Sequence, residues 1–146
     1  MTTADSFDLD RFVRAQADCY AAALAELRRG RKRTHWMWFV FPQMRGLGVT
    51  ATSEYYGISG LPEARAYLAH PVLGPRLRDC TAAVLGLTGV TLRGLFGTPD
   101  DLKFRSSMTL FSRADEPDSV FAAALGTCCG GHEDPATLDL LDRAAR

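Results

Sequence analysis

The sequence predicts an all-α fold, a single compact domain of about seven to nine short helices, and three observations lead there. Prolines stand where helices begin, glycines stand where they end, and no run alternates apolar and polar residues as a half-buried strand would. The chain has 146 residues, 47% apolar and 23% charged, enough to bury one core with the balance of an ordinary globular protein. One domain over 1–146 is expected, ordered from about 8 to 143.

The first helix is expected from about Asp8 to Arg29, with Phe12, Cys19, Ala23 and Leu27 on one face and Gly30 closing it. A short helix from Thr34 to Phe41 must end before Pro42, whose ring disfavours helical geometry at the residue ahead of it. Further helices follow at about 50–57, 62–69, 71–87, 91–96, 99–112, 117–128 and 135–145. Gly57 and Gly97 close two of them. Asp134-Pro135, Thr98-Pro99 and His70-Pro71 each set a capping residue before proline, and Asp100 and Asp101 place carboxylates in a first turn that favours them. Lys103 to Leu110 also fits a two-residue period, and the cap ahead of it decides for helix.

Composition narrows the functional classes. Net charge is zero, so a general nucleic-acid-binding surface is not expected, although Arg28 to Arg33 is a basic knot of the kind that usually forms a solvated loop. The strongly apolar run Trp36 to Phe41 is only six residues, so no membrane span is expected. Met1 to Asp10 is acidic with no apolar core, so no secretory signal is expected and the cytoplasm is the expected compartment. Cys19, Cys80, Cys128 and Cys129 have no metal-ligand spacing; they read as reduced packing residues, and neither a metal nor a cofactor is expected. Fifteen arginines stand against two lysines, Lys32 and Lys103, which marks those two as places where a compact ammonium is needed.

Two segments carry chemistry. Thr34-His-Trp-Met-Trp-Phe-Val-Phe-Pro-Gln43 is apolar on every side of a helix, so most of it belongs in a core. His35 is either a satisfied core histidine or a proton-transfer group beside an aromatic pocket. Trp36 and Trp38 cannot share a helix face, so at most one lines such a pocket. The second segment runs from Asp100 to Phe111. Phe104, Met108 and Phe111 form its apolar stripe, while Lys103, Arg105, Ser106, Ser107 and Thr109 gather donors suited to phosphate or carboxylate oxygens. The plainer alternative is that Lys103 and Arg105 pair with acids such as Asp100, Asp101 or Glu63 and tie helices together.

The phrases His35–Gln43, Gly46-Leu-Gly48, Tyr56-Gly-Ile58, Glu63–Leu77, Phe96–Lys103 and Arg105–Phe111 closely resemble the bacterial domain-of-unknown-function family numbered 1810. The resemblance runs in order from about residue 9 to 142. It implies an all-helical single domain and no particular reaction. An older "calpastatin" label for the family finds no support, because an inhibitor of that kind would be a long, polar, disordered chain. The family tends to have serine where this chain has Thr34 and Thr50, and aromatic residues where it has Cys128 and Cys129.

The leading expectation is a protein that binds a phosphate-containing small molecule such as a nucleotide or ADP-ribose derivative, with hydrolysis or transfer of that molecule left open. Lys103, Arg105, Ser106, Ser107 and Thr109 would hold the phosphates; Trp36, Trp38 or Tyr56 would stack on the base; Gln43 would join the site. His35, Asp101 and Asp134 are the acid–base candidates. No phosphate loop, nucleophile elbow or metal motif accompanies them. The alternative is a protein-interaction module that exposes the His35–Gln43 aromatics to a partner.

Overall fold

Ten helices form in the computed structural model, which describes residues 6–146. They are α1 Asp10–Gln16, α2 Tyr20–Arg29, α3 Met37–Val40, α4 Ala51–Tyr55, α5 Leu61–Ala69, α6 Leu73–Leu85, α7 Leu92–Phe96, α8 Asp100–Ala114, α9 Val120–Cys128 and α10 Pro135–Ala144. The first half of the acidic N-terminal stretch, read above as no secretory signal, lies outside the described residues. Among the described residues no helix is long and apolar enough to cross a membrane.

The count exceeds the expected range because the long first helix breaks at 17–19. Its halves bury different faces: α1 packs on α3, whereas α2 packs on α6. Helix α3 is a single turn that ends before Pro42, as the proline requires.

Side chains cap helices at two of the three positions marked in the sequence, Asp134 and His70, and at three that were not, Thr50, Thr91 and Ser119. Thr50, Thr91, Ser119 and Asp134 each accept a first-turn amide. His70 does so through its ring, Nδ1 accepting Val72 N–H and Leu73 N–H at 3.1 and 3.2 Å. Thr98 does not cap α8. Pro99 takes the cap position, and the Thr98 hydroxyl turns instead to Asp101.

Helix α8 runs through the centre, packed on α5, α7, α9 and α10. Its Phe104, Met108, Leu110 and Phe111 are fully enclosed, so the stripe read as helical is helical. Trp36 and Phe41 are 0% exposed and pack with Phe96 and Phe104 in one aromatic cluster. The described residues contain no strand. An isolated parallel bridge, Met44 to Ile58, pins the loop after α3: Ile58 N–H donates to Gln43 O and Arg45 N–H to Ile58 O, both at 2.9 Å.

Two buried carboxylates hold the chain segments that the helices do not. Glu63 takes Ser59 N–H and Oγ–H on one oxygen and Arg11 Nη2–H on the other, at 2.9, 2.8 and 2.8 Å. Glu26 takes Arg33 N–H, Thr34 N–H and Trp36 Nε1–H on Oε1 and the Thr34 hydroxyl on Oε2, at 2.7, 3.0, 3.0 and 2.7 Å. Burial alone would push the Glu26 carboxyl up, but the donors from Arg33, Thr34 and Trp36 outweigh it and hold it at about 2.

A carboxyl held below its ordinary value of 4.5 stabilises the fold above that pH, and the contribution is lost as pH falls toward about 2. Acid unfolding should therefore steepen in that window for the parent, and Glu26→Gln should flatten the difference, as followed by circular dichroism. Trp36→Ala should lose about 3–5 kcal/mol, since it empties a core site and strips a donor from Glu26, while Trp38→Ala should lose about 1 kcal/mol or less. Urea unfolding of the two variants checks this.

Candidate functional site

Four segments converge on a cleft of about 250 Å³. Helix α3 supplies Trp38, the pinned loop after it supplies Gln43, Leu47 and Gly48, and the start of α10 supplies Asp134 and Ala136. Along α8 the lining residues are Pro99, Leu102, Lys103 and Ser106, the i, i+3, i+4, i+7 spacing of one helix face. The polar groups gather at two places. Asp134 accepts the Ser106 hydroxyl at 2.9 Å, Thr137 N–H at 3.2 Å and the Thr137 hydroxyl, all on Oδ2. That leaves Oδ1 without a bond among the described residues. Lys103 lies with its ammonium 3.7 Å from the centre of the Trp38 ring, a close cation–π contact.

Lys103 Nζ also pairs with Asp100 Oδ1 at 3.2 Å, and Lys32 Nζ pairs with Oδ2 of the same carboxylate at 3.0 Å. Lys32 in turn lies over the Trp36 ring, 5.1 Å from its centre. The two lysines of the chain thus meet at one carboxylate, each against one of its two tryptophans. The Lys32 backbone is fixed as well, donating to Leu95 O at 2.7 Å.

Larger cavities lie elsewhere. One of about 300 Å³ is walled by aliphatic residues between α6, α7 and α9, and one of about 460 Å³ lies between the start of α5 and the end of α10. Neither gathers several polar side chains at one point; a third, of about 360 Å³, does carry Asp101, Arg105 and His132, but there the Arg105 guanidinium is already bonded to the His132 and Glu133 carbonyls.

The family described as protein of unknown function (DUF1810) matches residues 6–141. The chain belongs to that family. It is similar along 94% of its length to the conserved hypothetical protein Rv1873 from Mycobacterium tuberculosis, whose crystal structure it matches at 55% identity and a TM-score of 0.92 over 99% of that chain. No curated protein matches it.

Within this family member the expected site residues divide. Trp38, Gln43, Lys103, Ser106 and Asp134 come together on the cleft. Arg105 does not, because residues two apart on a helix point about 200° away from each other. Its Nε–H and Nη2–H donate to the carbonyls of His132 and Glu133 at 2.8 and 2.7 Å, and it borders a separate cavity of about 360 Å³ with Asp101 and His132. Trp36 is fully enclosed and cannot stack on a ligand. Ser107 and Thr109 are 0% exposed: Thr109 serves Arg105 O and Asp134 N–H, and the Ser107 hydroxyl, one turn beyond Lys103, finds no partner. Tyr56 is half-buried against Phe12 and Phe39, Asp101 is turned to Thr98 Oγ–H and Leu102 N–H, and His35 is exposed away from the cleft.

Sequence reasoning missed Asp100 as a shared counter-ion and placed Lys32 in a solvated knot, although the scarcity of lysine had marked it. It also missed Leu47, Gly48, Pro99, Leu102 and Ala136, whose residue types carry no signal. All four cysteines are free, and among the described residues no three His, Cys, Asp or Glu groups are placed to hold a metal ion.

Arg105 is paired with carbonyls that no other donor reaches among the described residues, so Arg105→Ala should lose about 1–2 kcal/mol in urea unfolding.

Proposed function

We propose that the protein binds a phosphate-bearing small molecule, a nucleotide or ADP-ribose derivative, by its sugar-phosphate part in the Trp38–Lys103 cleft. The observation that carries this reading is that the Lys103 ammonium and the Asp134 carboxylate, whose Oδ1 carries no bond among the described residues, line the same cleft. Phosphate oxygens suit Lys103, and a sugar hydroxyl suits Asp134 as donor to acceptor. The Gln43 carboxamide offers both a donor and an acceptor, and Leu47, Pro99 and Leu102 give the ring an apolar floor. At about 250 Å³ the cleft falls below the roughly 300–1,000 Å³ of sites that enclose a whole drug-sized ligand, so the base lies outside it.

Binding rather than catalysis is the function proposed. Asp134 already caps α10 and accepts three bonds on one oxygen, which suits a fixed acceptor better than a proton shuttle, and His35 and Asp101 stand outside the cleft. The enclosure of Trp36 and Phe41 weighs against an aromatic surface offered to a protein partner.

Thermal shift and calorimetry with ribose 5-phosphate and ADP-ribose test this. Binding to the folded state alone raises Tm, by about 2–4 °C for each kcal/mol in a domain of this size. Lys103→Met should keep the melting temperature of the empty protein, because Asp100 retains Lys32, and should abolish the ligand-induced rise. A parent indifferent to both compounds, or a variant that responds as the parent does, would overturn the proposal.

A further inference from the structure

We infer that Lys32 sets the charge of the cleft: by neutralising Asp100 it leaves the Lys103 ammonium as a surplus positive charge available to an anion. The inference rests on the reading of the cleft as an anion site and names a positioning residue for it. Lys103 is already in contact with a carboxylate, and an ammonium matched one-to-one with a carboxylate offers an incoming phosphate little net attraction. Here the match is two to one. Asp100 gives Oδ2 to Lys32 and Oδ1 to Lys103, so these three groups keep one positive charge between them, which Lys103 presents to a cleft whose other charge is the Asp134 carboxylate.

The geometry holds Lys32 to this task. Its side chain is only 8% exposed, against 21% for that of Lys103, so Lys103 is the ammonium that the solvent and a ligand reach. Its backbone is bonded to Leu95 O, and the indole beneath it is fixed by Glu26. A compact ammonium fits between an indole and a carboxylate in a space this enclosed, which gives a reason for lysine here in a chain that otherwise uses arginine.

The test reads the charge directly and needs no knowledge of the ligand. Trp36 is fully enclosed, so iodide, an anion, quenches the fluorescence of Trp38, and acrylamide serves as the neutral control. Lys32→Met should lower the iodide quenching constant about two- to fivefold with acrylamide unchanged, Asp100→Asn should raise it, and the double variant should return to the parent level. In parallel, the Kd for ribose 5-phosphate should rise about tenfold in Lys32→Met and recover in the double variant. Unchanged iodide quenching in Lys32→Met, or none gained in Asp100→Asn, would overturn the inference; should Lys32→Met fail to fold, Asp100→Asn decides alone. If iodide follows the charges but neither phosphate compound binds the parent, the charge arrangement stands and the proposed ligand is wrong.

Discussion

The buried carboxylate of Glu26 takes four hydrogen bonds from the segment Arg33–Trp36, and no cation pairs with it among the described residues. That constraint organises one whole side of the molecule. It fixes the turn between α2 and α3, which in turn seats Trp36 in the aromatic core and leaves Trp38, two residues on, turned to the cleft. The same turn delivers Lys32 to Asp100 at the head of α8. A negative charge in an apolar setting would be costly without these donors, and their number is what keeps the group ionised. The carboxylate works as a polar hub for backbone that lies outside any helix.

Glu63 performs the corresponding task on the other side. Its partner Arg11 spends its remaining donors on the carbonyls of Phe7, Asp8, Tyr55 and Gly57, so α1, the end of α4 and the start of α5 meet at one guanidinium. Removal of either member would strand the other in a site that is 4% or 2% exposed, which is the costly way to break a buried pair.

Most of the helical pattern was legible in the sequence because its signals are local. Asp134 before Pro135, Gly30 after Arg29 and the stripe Phe104, Met108, Phe111 each depend on residues within one or two turns. The break at 17–19 was not legible, since it follows from which neighbours α1 and α2 find across the fold. The site was half legible for a related reason. Residue chemistry picked out Lys103, Ser106, Trp38, Gln43 and Asp134, and helix phase alone could have set aside Arg105 and Thr109, which point away from the face of Lys103, but not Ser107, which lies one turn beyond Lys103 and is closed off by tertiary packing. The pairing of Lys32 with Asp100 spans 68 positions of sequence, and nothing local announces it.

Helix α8 shows how one element serves packing and chemistry without conflict. Phe104, Met108 and Phe111 face the core; Lys103 and Ser106 face the cleft; Arg105 faces the loop before α10. Each face fastens a different neighbour. Through Arg105 and Thr109 the helix holds residues 132–134, and through Ser106 it turns the Asp134 carboxylate so that Oδ2 is consumed. The free oxygen of Asp134 is therefore aimed by bonds that α8 itself provides, just as the Lys103 ammonium is aimed by Asp100 at the head of the same helix and by Trp38. Both charges of the cleft are set by contacts to one rigid fifteen-residue element, so their separation is fixed before any ligand arrives. A cleft preorganised in that way spends little free energy on ordering its own side chains.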